Sequence, residues 1–363
     1  MNLTQSPASI HEIGAKIEAG QRINFEEATE LLEKADLFDL GRMAHSVRLK
    51  KHPEPYVTYV VDRNINYSNI CVCGCRFCAF FKAPDQDGGF ILTREELGQK
   101  IQETIDLGGT QILMQGGHHP DLRLEFYEDM LRFIKDNYKI HIHAFSPPEI
   151  VHFSGIENIS IKEVIERLMK AGLDSIPGGG AEILVDEVRS KIAPRKCPAG
   201  QWLEVMETAH NLGLRTTATM MFGHIETQAD RLQHLFALRE VQDRTGGFTA
   251  FIPWTFQPDH TNIPDARKVT SVEYLRMLAV SRLVLDNFDN LQVSWVTMGP
   301  KISQLALYFG GNDFGSTMIE ENVVKAAGIS FRLSEDQIHR LITKAGFKPM
   351  RRLMDYSYAE KDD

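Results

Sequence analysis

The chain of 363 residues is 43% hydrophobic and 25% charged with a net charge of −9, an ordinary globular composition with enough length for two domains or one large barrel. Its basic residues are scattered apart from short clusters such as RLKKH and MRR, which argues against a nucleic-acid surface. The first residues lack the basic and apolar regions of a secretory signal, and no apolar run approaches the roughly 20 residues that cross a bilayer, so the expected protein is cytoplasmic and free of the membrane, in a reducing compartment that keeps its thiols available.

In chain order, Asn24 stands before FEEATELLEKA with Glu27 three residues on, a capping-box pattern. Residues 1–52 are therefore expected to be a helical extension, serving as a lid or base. From Tyr56 onward, eight β-rich runs alternate with amphipathic helical stretches: YVTYVVDRNI, TQILMQ, KIHIHAF, LDSIP, LRTTATMMF, GFTAFIPWTF, LQVSWVTM and LALYFGG. Such alternation predicts a parallel sheet, and eight repeats predict a closed (β/α)8 barrel of TIM type over residues 53–330. Its loops then converge on the C-terminal mouth. Ser334 caps EDQIHRLITKAG as part of a C-terminal helical extension over 331–363, with the charged AEKDD end expected to fray.

The first βα loop carries NICVCGCRFCAF, which puts four of the five cysteines at Cys71, Cys73, Cys75 and Cys78. Neighbours one residue apart cannot easily bridge, so a disulfide framework fits badly. Cys71, Cys75 and Cys78 can supply three thiolates to three irons of a cubane cluster and leave the fourth iron open, whereas a saturated electron carrier wants four thiolates. A structural zinc ion held by all four cysteines is the competing reading, although zinc ligands usually come as two separated pairs.

The spacing Cys71-x3-Cys75-x2-Cys78, with Phe77 before the last cysteine, resembles the signature of the radical S-adenosylmethionine (SAM) enzymes. The resemblance implies a radical SAM barrel holding a [4Fe-4S] cluster, with SAM on the open iron cleaved to methionine and a 5′-deoxyadenosyl radical, and a reductant such as flavodoxin or ferredoxin. Cys73 is then a spare thiol.

The other loops supply further candidates. In QGGHHP, Gly116 and Gly117 permit close backbone approach, and by resemblance they lie against the methionine end of SAM; His118 and His119 can donate hydrogen bonds or act as bases. PGGGAEIL suits a ribose hydroxyl or ammonium group and lacks the lysine and Ser/Thr of a phosphate-binding Walker loop. Resemblance to related barrels assigns Glu182 and Ser146 to SAM and Arg189 to a carboxylate. His224 and Glu226 follow the fifth strand as pocket candidates, and Gln257, Asp259, His260, Thr261 and Asn262 follow the sixth, where they suit a polyhydroxylated substrate.

Across about residues 20–355, LMQGGHHPDL, GLDSIPGGGAEIL, TTATMMFGHIET, GGFTAFIPWTFQP, SWVTMGPK and GNDFGSTMIEENVV resemble the cyclic dehypoxanthinyl futalosine synthases of the futalosine route to menaquinone. Aminofutalosine synthase and the deazaflavin-precursor (FO) synthases share the cysteine motif and early loops. For the cyclase family the implied substrate is dehypoxanthine futalosine. Hydrogen abstraction from ribose C4′ is followed by attack on the benzoate ring and loss of an electron and a proton. Arg189, His118, His119, His224 and Lys301 are candidates for the aryl carboxylate.

Overall fold

A computed structural model describes residues 8–263, 266–328 and 331–359. Among the described residues ten strands are present: β1 (Tyr56–Val60), β2 (Asp62–Asn66), β3 (Gln111–Gln115), β4 (His141–Ala144), β5 (Ser175–Ile176), β6 (Arg215–Phe222), β7 (Phe248–Thr255), β8 (Asn290–Leu291), β9 (Asp313–Ser316) and β10 (Lys348–Arg351). All ladders are parallel, and β2 to β8 pair in chain order. β1 and β2 form one strand interrupted at Val61; its lower half pairs with β9 and its upper half with β3. A bridge from Gln292 to Asp313 joins β9 to the end of β8 and completes the (β/α)8 ring.

The last seam depends on very short strands, and side chains reinforce it. Asn312 Oδ1 accepts from Leu291 N (2.8 Å) and Arg282 Nη2 (2.7 Å), while its Nδ2 donates to Asn290 Oδ1 (2.9 Å). Arg282 is fully buried, and its remaining donors reach the carbonyls of Gly310, Phe288 and Asp289.

Two expected strands differ. LALYFGG does not form the eighth strand: it is the end of the Pro300–Ala306 helix and the turn after it. Ser303, Ala306 and Leu307 are buried at helical spacing, while Leu305 is 51% exposed and Tyr308 44%, so the run has the period of a helix and not of a strand. The eighth strand is Asp313–Ser316, inside what reads as a loop. LQVSWVTM contributes only Leu291 to β8, and Trp295–Met298 turns into a short helix whose Trp295 Nε1 donates to Ser316 O (3.0 Å).

The capping box at Asn24 forms, with Glu27 N to Asn24 Oδ1 and Asn24 N to Glu27 Oε2 both 2.8 Å. The three helices before β1 lie against the barrel's flank. Arg276, in the Ser271–Val284 helix, donates to the carbonyl of Ala35 (2.7 Å), and Arg22 pairs with Asp243 and Asp286.

The base is made by the other end of the chain. Ser334 caps the Glu335–Lys344 helix as expected, and β10 then pairs with β1 beneath β3. From there Arg352 enters the barrel and forms a two-pronged ion pair with Asp313 (2.6 and 3.1 Å), whose carboxylate also accepts from Thr58 Oγ1 (2.5 Å). Both partners are buried. Breaking a buried pair strands the remaining charge at a cost of about 3–5 kcal/mol. Asp313→Asn is accordingly expected to lower stability by that order, read as a fall in the urea midpoint at unchanged slope; a change below about 1 kcal/mol would mean that the pair does not hold the floor.

Candidate active site

Beyond Asn66 the chain crosses the mouth as the cysteine loop. It is closed on itself by Cys71 N to Lys82 O (2.9 Å) and Cys78 N to Cys75 O (3.1 Å), and tied outward by Val72 N to His118 O (3.0 Å) and Arg76 N to Ile192 O (2.8 Å). Cys71 and Cys78 are half-buried; Cys73 and Cys75 are buried. The Cys73 thiol lies within hydrogen-bonding reach of Cys71 and Cys75, and its Sγ is also 3.1 Å from His118 Nδ1 and 3.7 Å from Arg195 O. A hydrogen bond from Cys73, helped by the His118 backbone N–H against the effect of burial, pushes the Cys71 thiol down to about 5. Cys75 is lowered chiefly by Cys73 as well, whereas burial raises Cys78.

Among the described residues no three His, Cys, Asp or Glu side chains are arranged around a single ion. The chemistry of the donor set fits an iron–sulfur cluster, in which each of three thiolates meets a different iron.

Gly116 and Gly117 make the loop's close seat. A Cβ on Gly117 would lie 2.1 Å from Ile70 O, and one on Gly116 would lie 2.3 Å from the Tyr67 ring. Gly116 N donates to Glu149 Oε1 (3.1 Å), which also accepts from Tyr67 Oη (2.6 Å); Ser146 N (2.8 Å) and Oγ (2.5 Å) bond the other oxygen. Ser146 is therefore joined to the glycine pair through Glu149. That carboxyl is fully buried and raised by burial despite its four donors. The signal for it was the Ser-x-x-Glu spacing of a capping box in SPPE.

Glu182 is buried and pairs with Lys196 at 2.6 Å; Lys196 Nζ also stands 5.1 Å over the ring of Phe77. Burial alone would raise the Glu182 carboxyl, but Lys196 holds it below its usual range. Phe77, Glu182 and Lys196 thus form one patch beside the cysteine loop, and Lys196 is the member that sequence reasoning missed. Arg189 faces inward: its guanidinium donates to Cys197 O (3.1 and 2.7 Å), Ala181 O (2.5 Å) and Gly180 O (3.2 Å), and so fixes the glycine loop.

Of the remaining candidates, His118 stays against the cysteine loop, with its ring 4.9 Å from that of His152 at a tilt, and His119 Nδ1 accepts from Asp121 N (3.1 Å). Glu226 braces its own loop, accepting from Gly223 N (2.6 Å), His224 N (2.9 Å) and Arg231 Nε (2.8 Å), and His224 Nε2 is 3.2 Å from Met221 O. Burial works to raise Glu226, yet its His224 and Arg231 contacts hold it down at about 2. The loop of Gln257 to Asn262 clasps the cysteine loop from outside, through Asn262 N to Arg76 O (2.6 Å), while Asp259 pairs with Lys268.

Below the cysteine and glycine loops the barrel encloses a cavity of about 260 Å3. Its wall includes Gly178 and Gly179 near the mouth and Arg352, Met354 and Tyr356 at the floor, but neither His224 nor Glu226. Polar residues come from alternate strand positions: Asp62 and Asn64, Gln111 and Gln115, His143, Thr217 and Thr219. Asn64 Oδ1, Gln111 Oε1 and Tyr356 Oη are buried without a partner among the described residues. Ile252, Trp254, Val293, Val296 and Met318 supply apolar wall. The chamber can thus hold a molecule that is polar at one part and flat and apolar at another.

Each of Cys71→Ser, Cys75→Ser and Cys78→Ser is expected to lose most bound iron after anaerobic reconstitution, and Cys73→Ser to retain it. Iron content is the readout; loss in the Cys73 variant with retention in any of the other three reverses the ligand set. Gly117→Ala should also lose iron with all three thiols present, because its methyl collides with the Ile70 carbonyl and crowds Cys71 Cβ.

The Radical SAM superfamily matches residues 65–238, and the CofH/MqnC C-terminal region matches residues 245–363. A cyclic dehypoxanthine futalosine synthase from Halalkalibacterium halodurans is 47% identical, covering 93% of this chain and 91% of the relative. An aminodeoxyfutalosine synthase from Thermus thermophilus is 40% identical, with 94% and 93% covered. In fold, the FeFe-hydrogenase maturase HydG from Carboxydothermus hydrogenoformans superposes with a TM-score of 0.75 at 17% identity, over 96% of this chain and 80% of that one. The chain belongs to the radical SAM superfamily and, within it, to the enzymes that carry a CofH/MqnC C-terminal region.

Proposed function

We propose that this enzyme cyclises dehypoxanthine futalosine to its cyclic form in menaquinone biosynthesis. The observation that carries the reading is the 47% identity to a cyclic dehypoxanthine futalosine synthase along nearly the whole of both chains, against 40% for the aminodeoxyfutalosine synthase. Membership of the superfamily brings SAM and an iron–sulfur cluster. In this reading the cluster is [4Fe-4S], bound by Cys71, Cys75 and Cys78, and the cofactors together supply a hydrogen-abstracting 5′-deoxyadenosyl radical. Gly116, Gly117, Ser146 and the patch of Phe77, Glu182 and Lys196 border the SAM side.

The protein's own task is positioning and exclusion. Asn64, Gln111, Thr217 and Thr219 offer hydrogen bonds to a ribose, and the wall around Trp254 accepts an aryl ring, so that C4′ is held toward the mouth. A chamber walled by the barrel fixes that geometry and limits the access of water to a reactive carbon. Five free cysteines accord with a reducing cytoplasm, where flavodoxin or ferredoxin can deliver the electron.

Aminofutalosine formation is the second reading, favoured by the 40% relative; it would join the adenosyl carbon to its acceptor. With dehypoxanthine futalosine, SAM and reductant, the expected products are methionine, free 5′-deoxyadenosine and a compound two hydrogens lighter than the substrate. Deuterium placed at C4′ should appear in the deoxyadenosine. Mass analysis finding the label retained in the product, or adenosyl carbon attached to it, moves the assignment to the second reading.

A further inference from the structure

A cyclisation that ends by expelling a proton within the barrel needs an acceptor on the wall and a path outward. The titratable groups on that wall are Asp62, His143, Glu321, Arg352 and Tyr356. Asp62 is bonded by Gln111 Nε2 (2.8 Å) and Ser316 Oγ. Glu321 caps a helix turn through the N–H groups of Val323, Val324 and Lys325. Arg352 is a paired cation, and burial raises the Tyr356 phenol.

His143 is different. Its Nδ1 is 2.7 Å from Ser175 Oγ on β5, and the same oxygen is 2.7 Å from Nε2 of His141, two residues earlier on β4. Among the described residues His143 Nε2 has only a long contact, 3.4 Å, to Thr217 Oγ1. His143 is buried, whereas His141 is half-buried toward the floor. One hydroxyl therefore links a chamber imidazole to a second imidazole nearer the outside.

We propose that His143 is the base that takes the substrate's ring proton and that Ser175 and His141 conduct it out through the barrel floor. This rests on the cyclase reading. Attack of the C4′ radical forms the C–C bond and leaves a ring radical with one tetrahedral C–H carbon. Restoring the arene expels one electron, to the oxidised iron–sulfur cluster, and one proton, to His143 Nε2. His143 Nδ1–H then donates to Ser175 Oγ as the Ser175 hydroxyl donates to His141 Nε2, which leaves His143 neutral in its other tautomer.

The surroundings agree with this direction. Burial, with the Arg352 charge acting in the same direction, keeps His143 well below the usual imidazole range, so it is neutral before the step. A weak base suffices because a ring that has lost an electron is a far stronger acid than imidazolium, and proton transfer then runs downhill. His141 is also lowered by burial and Lys135, but Asp174 and Asp355 offset this in part, making it the more basic end of the relay.

The test uses reconstituted holoenzyme, SAM, reductant and substrate deuterated at C4′, and measures cyclised product per free deoxyadenosine. His143→Asn should still move deuterium into deoxyadenosine while that ratio falls by about tenfold or more. Ser175→Ala and His141→Gln should lower it in the same direction, with Ser175→Thr restoring it. Deuterium at the attacked ring carbon should produce a primary isotope effect on the ratio in Ser175→Ala that is absent in the wild type, which a merely structural defect would not create. A wild-type ratio in His143→Asn overturns the base. If that variant fails to bind iron, wild-type ratios in both Ser175→Ala and His141→Gln overturn the proposal. Failure of the wild type itself to label deoxyadenosine sinks the cyclase reading first, and the base with it.

Discussion

Val61 divides one strand between two sets of neighbours, and the rest of the architecture depends on that division. Below it, β1 holds β9 and β10; above it, β2 holds β3 and hands the chain on to the cysteine loop. A strand paired on one side only would leave the ring open, and an open ring would admit water to the chamber. The same strand places Asp62 and Asn64 on the inner wall. Closure, chamber chemistry and cofactor seat thus share one short run of backbone.

Polar groups inside the barrel are expensive unless paired, and this chain meets the requirement unevenly. Around the mouth the pairing is complete: Glu182 with Lys196, Glu149 with Tyr67, Ser146 and Gly116 N, and Arg189 with three carbonyls. Those side chains are spent on holding loops in place. Inside the chamber, Asn64 Oδ1, Gln111 Oε1 and Tyr356 Oη have no partner among the described residues. The contrast separates groups that build the site from groups left over for what enters it.

The sequence made the cofactor end legible because its chemistry is local. Three cysteines within eight residues and glycines at GG and GGG act over one loop, so spacing alone carries the meaning. The alternating barrel pattern was legible too, since β/α repetition spreads over the whole chain. The chamber was not read, although DRNIN and HIHA place polar residues two apart and QILMQ four apart on one face, because a polar alternate face in a parallel barrel is visible only once the lumen is known to be wet. Strand eight was missed because DFGS is four residues long and stabilised by Asn312 and Arg282, which lie outside it. Lys196 was missed because it stands fourteen positions from Glu182 with no periodic relation to it.

The floor has a consequence for the way the molecule is made. Tyr56 on β1 pairs with Lys348 on β10, and Asp313 waits for Arg352. A chain synthesised from its N-terminus therefore exposes the cysteine loop and all eight strands of the barrel wall before the segment that seals its floor has been translated. For that interval the chamber is a tube open at its lower end, accessible to solvent and to iron-delivery proteins alike. Contacts so distant in sequence form slowly, and maturation of the metal site and closure of the barrel become competing events in time.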